Sequence, residues 1–144
     1  MTQAIGTRRK ARERALQMLY SLDLNDTLTV GQALGVFWRD FDEEAHDPQV
    51  VTFAEALVSG THSHLEELDA VIQRASKNWR VERMAKVDRN ILRLAAYELA
   101  HAPDVPAKVV INEAIELAKR FGASESAAFV NGVLDRLAQE LKRS

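Results

Sequence analysis

The 144-residue chain has no cysteine and only three prolines, Pro48, Pro103 and Pro106. Without cysteine there is no disulfide, no thiolate nucleophile and no thiolate-bound metal, a composition that fits a reducing compartment. No stretch approaches the ~18 apolar residues that span a bilayer. The basic N-terminal stretch is followed by an amphipathic segment containing Glu13 and Gln17, not by the continuous apolar run of a secretory signal. The expectation is a soluble, cytoplasmic chain with no membrane role. Strand signals are scarce too, and the longest β-branched cluster, Val109-Val110-Ile111, falls inside a helical pattern. Catalytic signatures are missing: there is no glycine-rich phosphate loop, nucleophile elbow or HExxH. His62 and His64 are two residues apart, point in different directions on a helix and cannot share a metal. His46 and His101 have no ligand partner nearby in sequence, so the histidines read as surface residues and no metal is expected.

Apolar residues make up 47% of the chain and charged residues 28%, enough for a buried core in one domain or two tightly packed subdomains. The net charge of −2 hides an uneven distribution. Residues 1–22 carry Arg8, Arg9, Lys10, Arg12 and Arg14 against Glu13, a net +4. Residues 23–75 are strongly acidic, at −9, and residues 76–144 are mildly basic, at +3. A basic head on an otherwise acidic chain points to a localised binding surface.

Helical periodicity runs through the sequence. The first helix is expected over about Thr7–Leu22, with Ala11, Ala15, Met18 and Leu22 on one stripe widened by Leu19, and Lys10, Arg14, Gln17 and Ser21 opposite. The second runs over about Thr29–Phe41 with Thr29 as N-cap. Asp47-Pro48 starts the third, an acid at N-cap and proline at the first helical position; Gly60 is expected to break or bend the chain after Ser59. The fourth covers about His62–Arg74. A connector with Trp79 leads to Asp88 as N-cap of the fifth, Val87 and Leu92 forming a staple, and this helix ends near Ala100. The sixth, about Ala107–Phe121, ends at Gly122 as a left-handed C-cap, and the seventh runs from near Ser124 to about Lys142. The expected fold is all-α, about seven helices in two packed helical-bundle subdomains, 1–78 and 79–144.

The basic cluster is the sharpest feature. Arg8 and Arg12 lie one turn apart, as do Lys10 and Arg14, which concentrates cations on the exposed side of a helix. Cations near phosphate release condensed counterions, and arginine adds planar hydrogen bonding and stacking. Cations at a helix start oppose the macrodipole at ~0.3–1 kcal/mol each, so a purely structural design would place acids there. A solvated basic tail is the bland alternative. Tyr20 is compatible with the core and with a stacking platform at its rim. Gly132, mid-helix, costs ~1 kcal/mol relative to alanine, which implies close approach of a neighbouring helix or of a ligand. Asn131 beside it can read a base edge or cap locally.

Four blocks stand out, in order and at consistent spacing: Arg8-Arg9-Lys10-Ala11-Arg12-Glu13 continuing through Ala15-Leu16-Gln17-Met18-Leu19-Tyr20; Val87 to Ala95 with Tyr97-Glu98-Leu99; Asp104-Val105-Pro106 with Lys108 to Lys119; and Phe121-Gly122-Ala123 with Phe129 to Asp135. Together they resemble the NusB family of transcription antitermination factors. Residues 25–80 match in pattern only. The resemblance implies an all-helical protein of two helical subdomains that binds the boxA element of nascent single-stranded RNA together with NusE, a small-subunit ribosomal protein. It implies assembly with RNA polymerase and other Nus factors, suppression of premature, Rho-dependent termination, notably in ribosomal RNA operons, and support of ribosomal RNA maturation. It implies no cofactor, small-molecule substrate or catalysis.

Carried over by position, the RNA-contacting cluster falls on Arg8, Arg9, Lys10 and Arg12, the helix-one tyrosine on Tyr20 and the aromatic at the start of the last helix on Phe129. The acidic position near RNA falls on Glu125, where many relatives have aspartate. Asp88 matches a position close to the NusE surface, although N-capping alone would explain it. Glu98 and Glu113 read as structural hydrogen-bonding or ion-pairing residues. Two other readings compete. The same helical fold occurs fused to ribosomal RNA cytosine methyltransferases, a reading that needs a downstream cofactor domain, whereas this chain ends at Ser144. A protein-only adaptor with a solvated basic head is the third.

Overall fold

The structure is a computed structural model that describes residues 2–25, 27–40 and 47–143, with side chains of 2–5, 39 and 40 excepted. Among the described residues there are seven α-helices, one 3-10 turn and no strand: α1 (Thr2–Leu24), α2 (Val30–Asp40), α3 (Pro48–Ser63), α4 (Leu65–Ala75), the 3-10 turn (Val81–Arg83), α5 (Lys86–His101), α6 (Ala107–Phe121) and α7 (Ser126–Glu140). Phe41 and His46, expected in the second helix and on the surface, lie outside the described residues. None of these helices is long and apolar enough to cross a membrane. The chain forms two compact units, Met1–Ser63 and His64–Ser144.

In the first unit α1 packs chiefly against α3, and α2 lies against both. Ala11 and Ala15 on α1 and Ala54 on α3 are fully buried, small residues that let helix axes approach closely. The two expected caps are present. Thr29 Oγ1 accepts from the Gln32 amide at 3.1 Å while Gln32 Oε1 accepts from the Thr29 amide at 3.0 Å, a reciprocal capping box. Asp47 Oδ1 accepts from the Gln49 amide at 2.8 Å just before Pro48 opens α3. Trp38 Nε1 donates to Glu55 Oε2 at 2.9 Å, tying α2 to α3. Gly60 does not break the chain; α3 continues to Ser63. Val58 and Thr61, on either side of the glycine, are fully buried, and that packing outweighs the ~1 kcal/mol propensity cost of glycine.

In the second unit α5 is the central helix, packed by α4, α6 and α7. Ile91, Leu92, Leu94, Ala95, Ala96 and Leu99 are all buried, so it is enclosed on nearly every side. The division of the chain therefore falls between α3 and α4, not near residue 78. Polar clamps help hold α4 in this unit. Arg93, itself buried, donates from Nε and Nη2 to the two carboxylate oxygens of Asp69, each at 2.8 Å, and Arg136 Nε donates to the Ala75 carbonyl at 2.6 Å. Glu98 is buried as a structural role requires. At the other end of the unit Arg143 donates to the carbonyls of Leu99 and Val105.

Two expected helix ends differ. Asp88 is not an N-cap: α5 begins two residues earlier at Lys86, Ala85 precedes it without a side-chain cap, and Asp88 sits in the first turn, where the helix dipole favours an acid. Gly122 is not left-handed; its φ of −95° and ψ of −173° are extended. Its need for glycine is steric. A Cβ there would lie 2.6 Å from Ser126 Oγ and 2.8 Å from the Ala118 carbonyl.

Candidate nucleic-acid interface

The candidate residues fall on both units. On the first, α1 extends back to Thr2, so Arg8 stands in the second helical turn. The dipole penalty expected for these cations fades within the first turn and does not apply here. Arg8, Arg9 and Lys10 are exposed. Arg12 is not: only 6% of its surface is accessible, and it is partnered within the protein. The expected exposed array is corrected at this position. Arg12, Leu16 and Leu19 follow one another at helical spacing, so Arg12 belongs to a second buried stripe beside that of Ala11, Ala15, Met18 and Leu22. Tyr20 is half-buried, between its two sequence readings.

Arg8 has an aromatic neighbour. Its guanidinium carbon lies 4.7 Å from the ring centroid of Phe53 on α3. Phe53 keeps 37% of its surface exposed. Together with Thr7, Pro48, Gln49 and Thr52 they line an open trough of about 510 Å³. A guanidinium held over a ring gains about 0.5–1 kcal/mol at an exposed site and keeps edge N–H groups available to phosphate.

On the second unit Glu125 is exposed immediately before α7 and Phe129 stands one turn on, its amide donating to the Glu125 carbonyl at 3.2 Å. Ser124 Oγ donates to Glu125 Oε2 at 3.0 Å. Ser126 Oγ accepts from the Ala123 amide at 2.9 Å and so secures the turn entering the helix. The Phe129 ring meets Trp79 edge to face, centroids 6.1 Å apart at 79°. Trp79 is 61% exposed, yet its backbone is pinned. Its amide donates to the Ser76 carbonyl at 2.9 Å, and its carbonyl accepts from Gln73 Nε2 at 3.0 Å and Ser76 Oγ at 3.2 Å. Gln73 Oε1 then accepts from the Val81 amide at 2.9 Å, so one side-chain amide holds both flanks of the loop. Glu82 ends this loop paired with Arg80. Its carboxyl is held below the ordinary range, first by a backbone hydrogen bond and then by Arg80 and Arg83.

Other candidates resolve differently. Asp88 is half-buried, and its Oδ1 atom is buried with no hydrogen-bond partner among the described residues. Among the described residues no helix comes close to Gly132: a Cβ there would meet only Arg136 Nη1, at 3.8 Å. Asn131 is exposed beside an open groove of about 320 Å³ lined also by Lys108, Asn112 and Asp135. His101, without a partner in the sequence pattern, has several in the fold. Its Nε2 lies 2.9 Å from Glu67 Oε2, its ring centroid is 4.2 Å from that of His64, and it stacks on Tyr97 at 5.3 Å. His64, Glu67 and His101 bring one potential ligand atom each within 4.8 Å of one another. Hydrogen bonding and ring stacking already account for that arrangement.

Residues 9–139 match the model of the NusB family. The chain belongs to the NusB family. It is 51% identical over 140 residues to the transcription antitermination protein NusB of Myxococcus xanthus (strain DK1622), covering 96% of this chain and 99% of that one. Its fold matches T. maritima NusB with a TM-score of 0.82 at 36% identity, over 92% of this chain and 91% of that one. It also matches a chain from the crystal structure of antitermination factors NusB and NusE in complex with double-stranded RNA, with a TM-score of 0.77 at 26% identity, over 93% and 97% of the two chains. The match to the NusB family model takes in every candidate site residue except Arg8, which immediately precedes it.

Two aromatics beside the candidates escaped the sequence reading. Phe53 belongs to a segment that contains none of the four blocks that carry the resemblance. The buried stripe of α3, Val50, Ala54, Val58 and Thr61, places Phe53 on its flank by helical geometry, and that was the available signal. Trp79 was visible only as a connector residue, because its neighbour Phe129 is fifty positions away in the sequence.

Proposed function

We propose that this chain is an RNA-binding transcription antitermination factor. It binds single-stranded boxA RNA together with ribosomal protein NusE. It joins RNA polymerase with other Nus factors and suppresses premature, Rho-dependent termination, notably in ribosomal RNA operons, without catalysing a reaction or using a cofactor. Membership of the NusB family supports the general role. A structural relative in complex with NusE and double-stranded RNA supports both partners. The observation that carries the reading in this chain is the exposed cation trio, Arg8, Arg9 and Lys10, with Arg8 held over an exposed phenyl ring.

Arg8, Arg9 and Lys10 meet phosphate, and Tyr20 and Phe129 offer ring surface to bases. Glu125 accepts hydrogen bonds from base amino groups, a role that aspartate in relatives would share. Arg12, being buried, acts from inside by fixing α1 rather than by meeting phosphate. Asp88 contributes to NusE binding, consistent with a buried carboxylate oxygen that lacks a partner among the described residues.

The test is a titration of labelled boxA RNA at fixed salt. Arg8→Ala combined with Lys10→Ala should weaken binding about ten-fold or more, each lost phosphate contact also flattening the salt dependence. Helicity and melting should barely change, because both side chains are exposed. Parent-like affinity in the double variant would reject the assignment. Saturating NusE should tighten RNA binding; an unchanged dissociation constant would remove NusE from the reading.

A further inference from the structure

We infer that Trp79 and Phe129 form a nucleobase-stacking platform on the second unit, with Trp79 taking an unpaired base of single-stranded RNA. This rests on the RNA-binding reading and adds to it a residue and a place on the molecule. A single exposed apolar side chain is ordinary. Four observations make this one different. Trp79 is more exposed than any other large apolar residue described, at 61%. Its loop is rigid, since Gln73 and Ser76 fix the backbone on both sides of the ring; a pre-ordered ring loses little entropy when a base settles on it. The edge-to-face contact with Phe129 supports the indole while avoiding the sandwich that would hide its face. The surroundings are basic and polar. Lys77, Asn78, Arg80, Glu82 and Arg83 are exposed along the loop of Trp79; Arg80 pairs with Glu82, which leaves Lys77 and Arg83 as cations beside the ring, with Glu125 exposed one turn before Phe129. An apolar protein partner would be met by an apolar rim; an isolated indole among cations instead suits a base with its phosphate.

The two tryptophans of the chain allow a direct test. Trp38 is half-buried in the first unit and bonded to Glu55, so Trp38→Phe leaves Trp79 as the sole indole reporter. Titration of that variant with a single-stranded boxA oligoribonucleotide should quench Trp79 emission in step with binding followed by a labelled strand. Trp79→Ala should weaken binding roughly ten-fold, the loss of one base–aromatic stack. Trp79→Phe should recover most of that loss, which a merely structural role would not require. RNA that binds with salt-sensitive affinity but leaves Trp79 emission unchanged, and binds Trp79→Ala as tightly as the parent, overturns the platform and spares the RNA-binding reading. If Trp79→Ala weakens only the association with NusE, the surface belongs to a protein partner and the inference is wrong. No RNA binding by the parent at any salt overturns both.

Discussion

Arg8 and Arg12 share a residue type and stand one helical turn apart, yet the protein uses them in opposite ways. Arg8 faces solvent over Phe53; Arg12 is enclosed and partnered. A buried charge survives only when paired, and truncating it strands its partner. Arg12→Ala should therefore cost about 2 kcal/mol in urea unfolding, whereas Arg8→Ala, which loses one exposed ring contact, should stay within about 1 kcal/mol. Equal losses for the two variants would mean that both arginines do the same work. The basic block was plain in the sequence; the inward turn of its fourth cation was not. Periodicity shows which residues share a helix line, and Arg12 shares one with Leu16 and Leu19. Whether a cation on such a line is enclosed depends on partners far away in the chain, to which spacing is blind.

Among the elements, local chemistry was legible at the starts of α2 and α3. The Thr29 cap and the Asp47-Pro48 start both form as expected, and Gln32 completes the former as a reciprocal box. Other readings failed. Gly60 is carried through α3 by the buried Val58 and Thr61, and α5 starts before the best-looking cap. The boundary of the two units was misplaced because the connector at residue 78 resembles a linker, whereas Asp69 and Ala75 of α4 are clamped by arginines of α5 and α7. Gly122 shows how a correct residue can carry a wrong reason. Its place after the helical pattern suggests a left-handed cap, whereas in the fold it is a contact point between the end of α6 and Ser126. Gly122→Ala would push a methyl against a buried serine and a carbonyl. The expected cost is about 2 kcal/mol, which for a chain of this size lowers Tm by roughly 4–8 °C in a thermal melt. An unchanged Tm would show that the turn yields freely. Asp47→Ala, by contrast, removes one exposed cap and should cost only about 1 kcal/mol.

For the molecule as a whole, the net charge of −2 argues against nonspecific adhesion to a polyanion. An acidic stretch of −9 between residues 23 and 75 repels phosphate, so a nucleic acid is driven toward exposed cations. Two such places are the α1 trio and the loop around Trp79, where Lys77 and Arg83 are exposed. Each phosphate neutralised on a single strand contributes about −0.7 to the slope of log binding constant against log salt. Three contacts from α1 give an expected slope of roughly −2. Arg8→Ala with Lys10→Ala should reduce its magnitude by about 1.4, whereas Trp79→Ala should lower affinity at every salt concentration and leave the slope almost unaltered. The separation matters because it distinguishes charge from stacking within one titration series. A parent slope near −7 or steeper would instead require many more basic residues to touch the strand, spreading the contact far beyond the two places named.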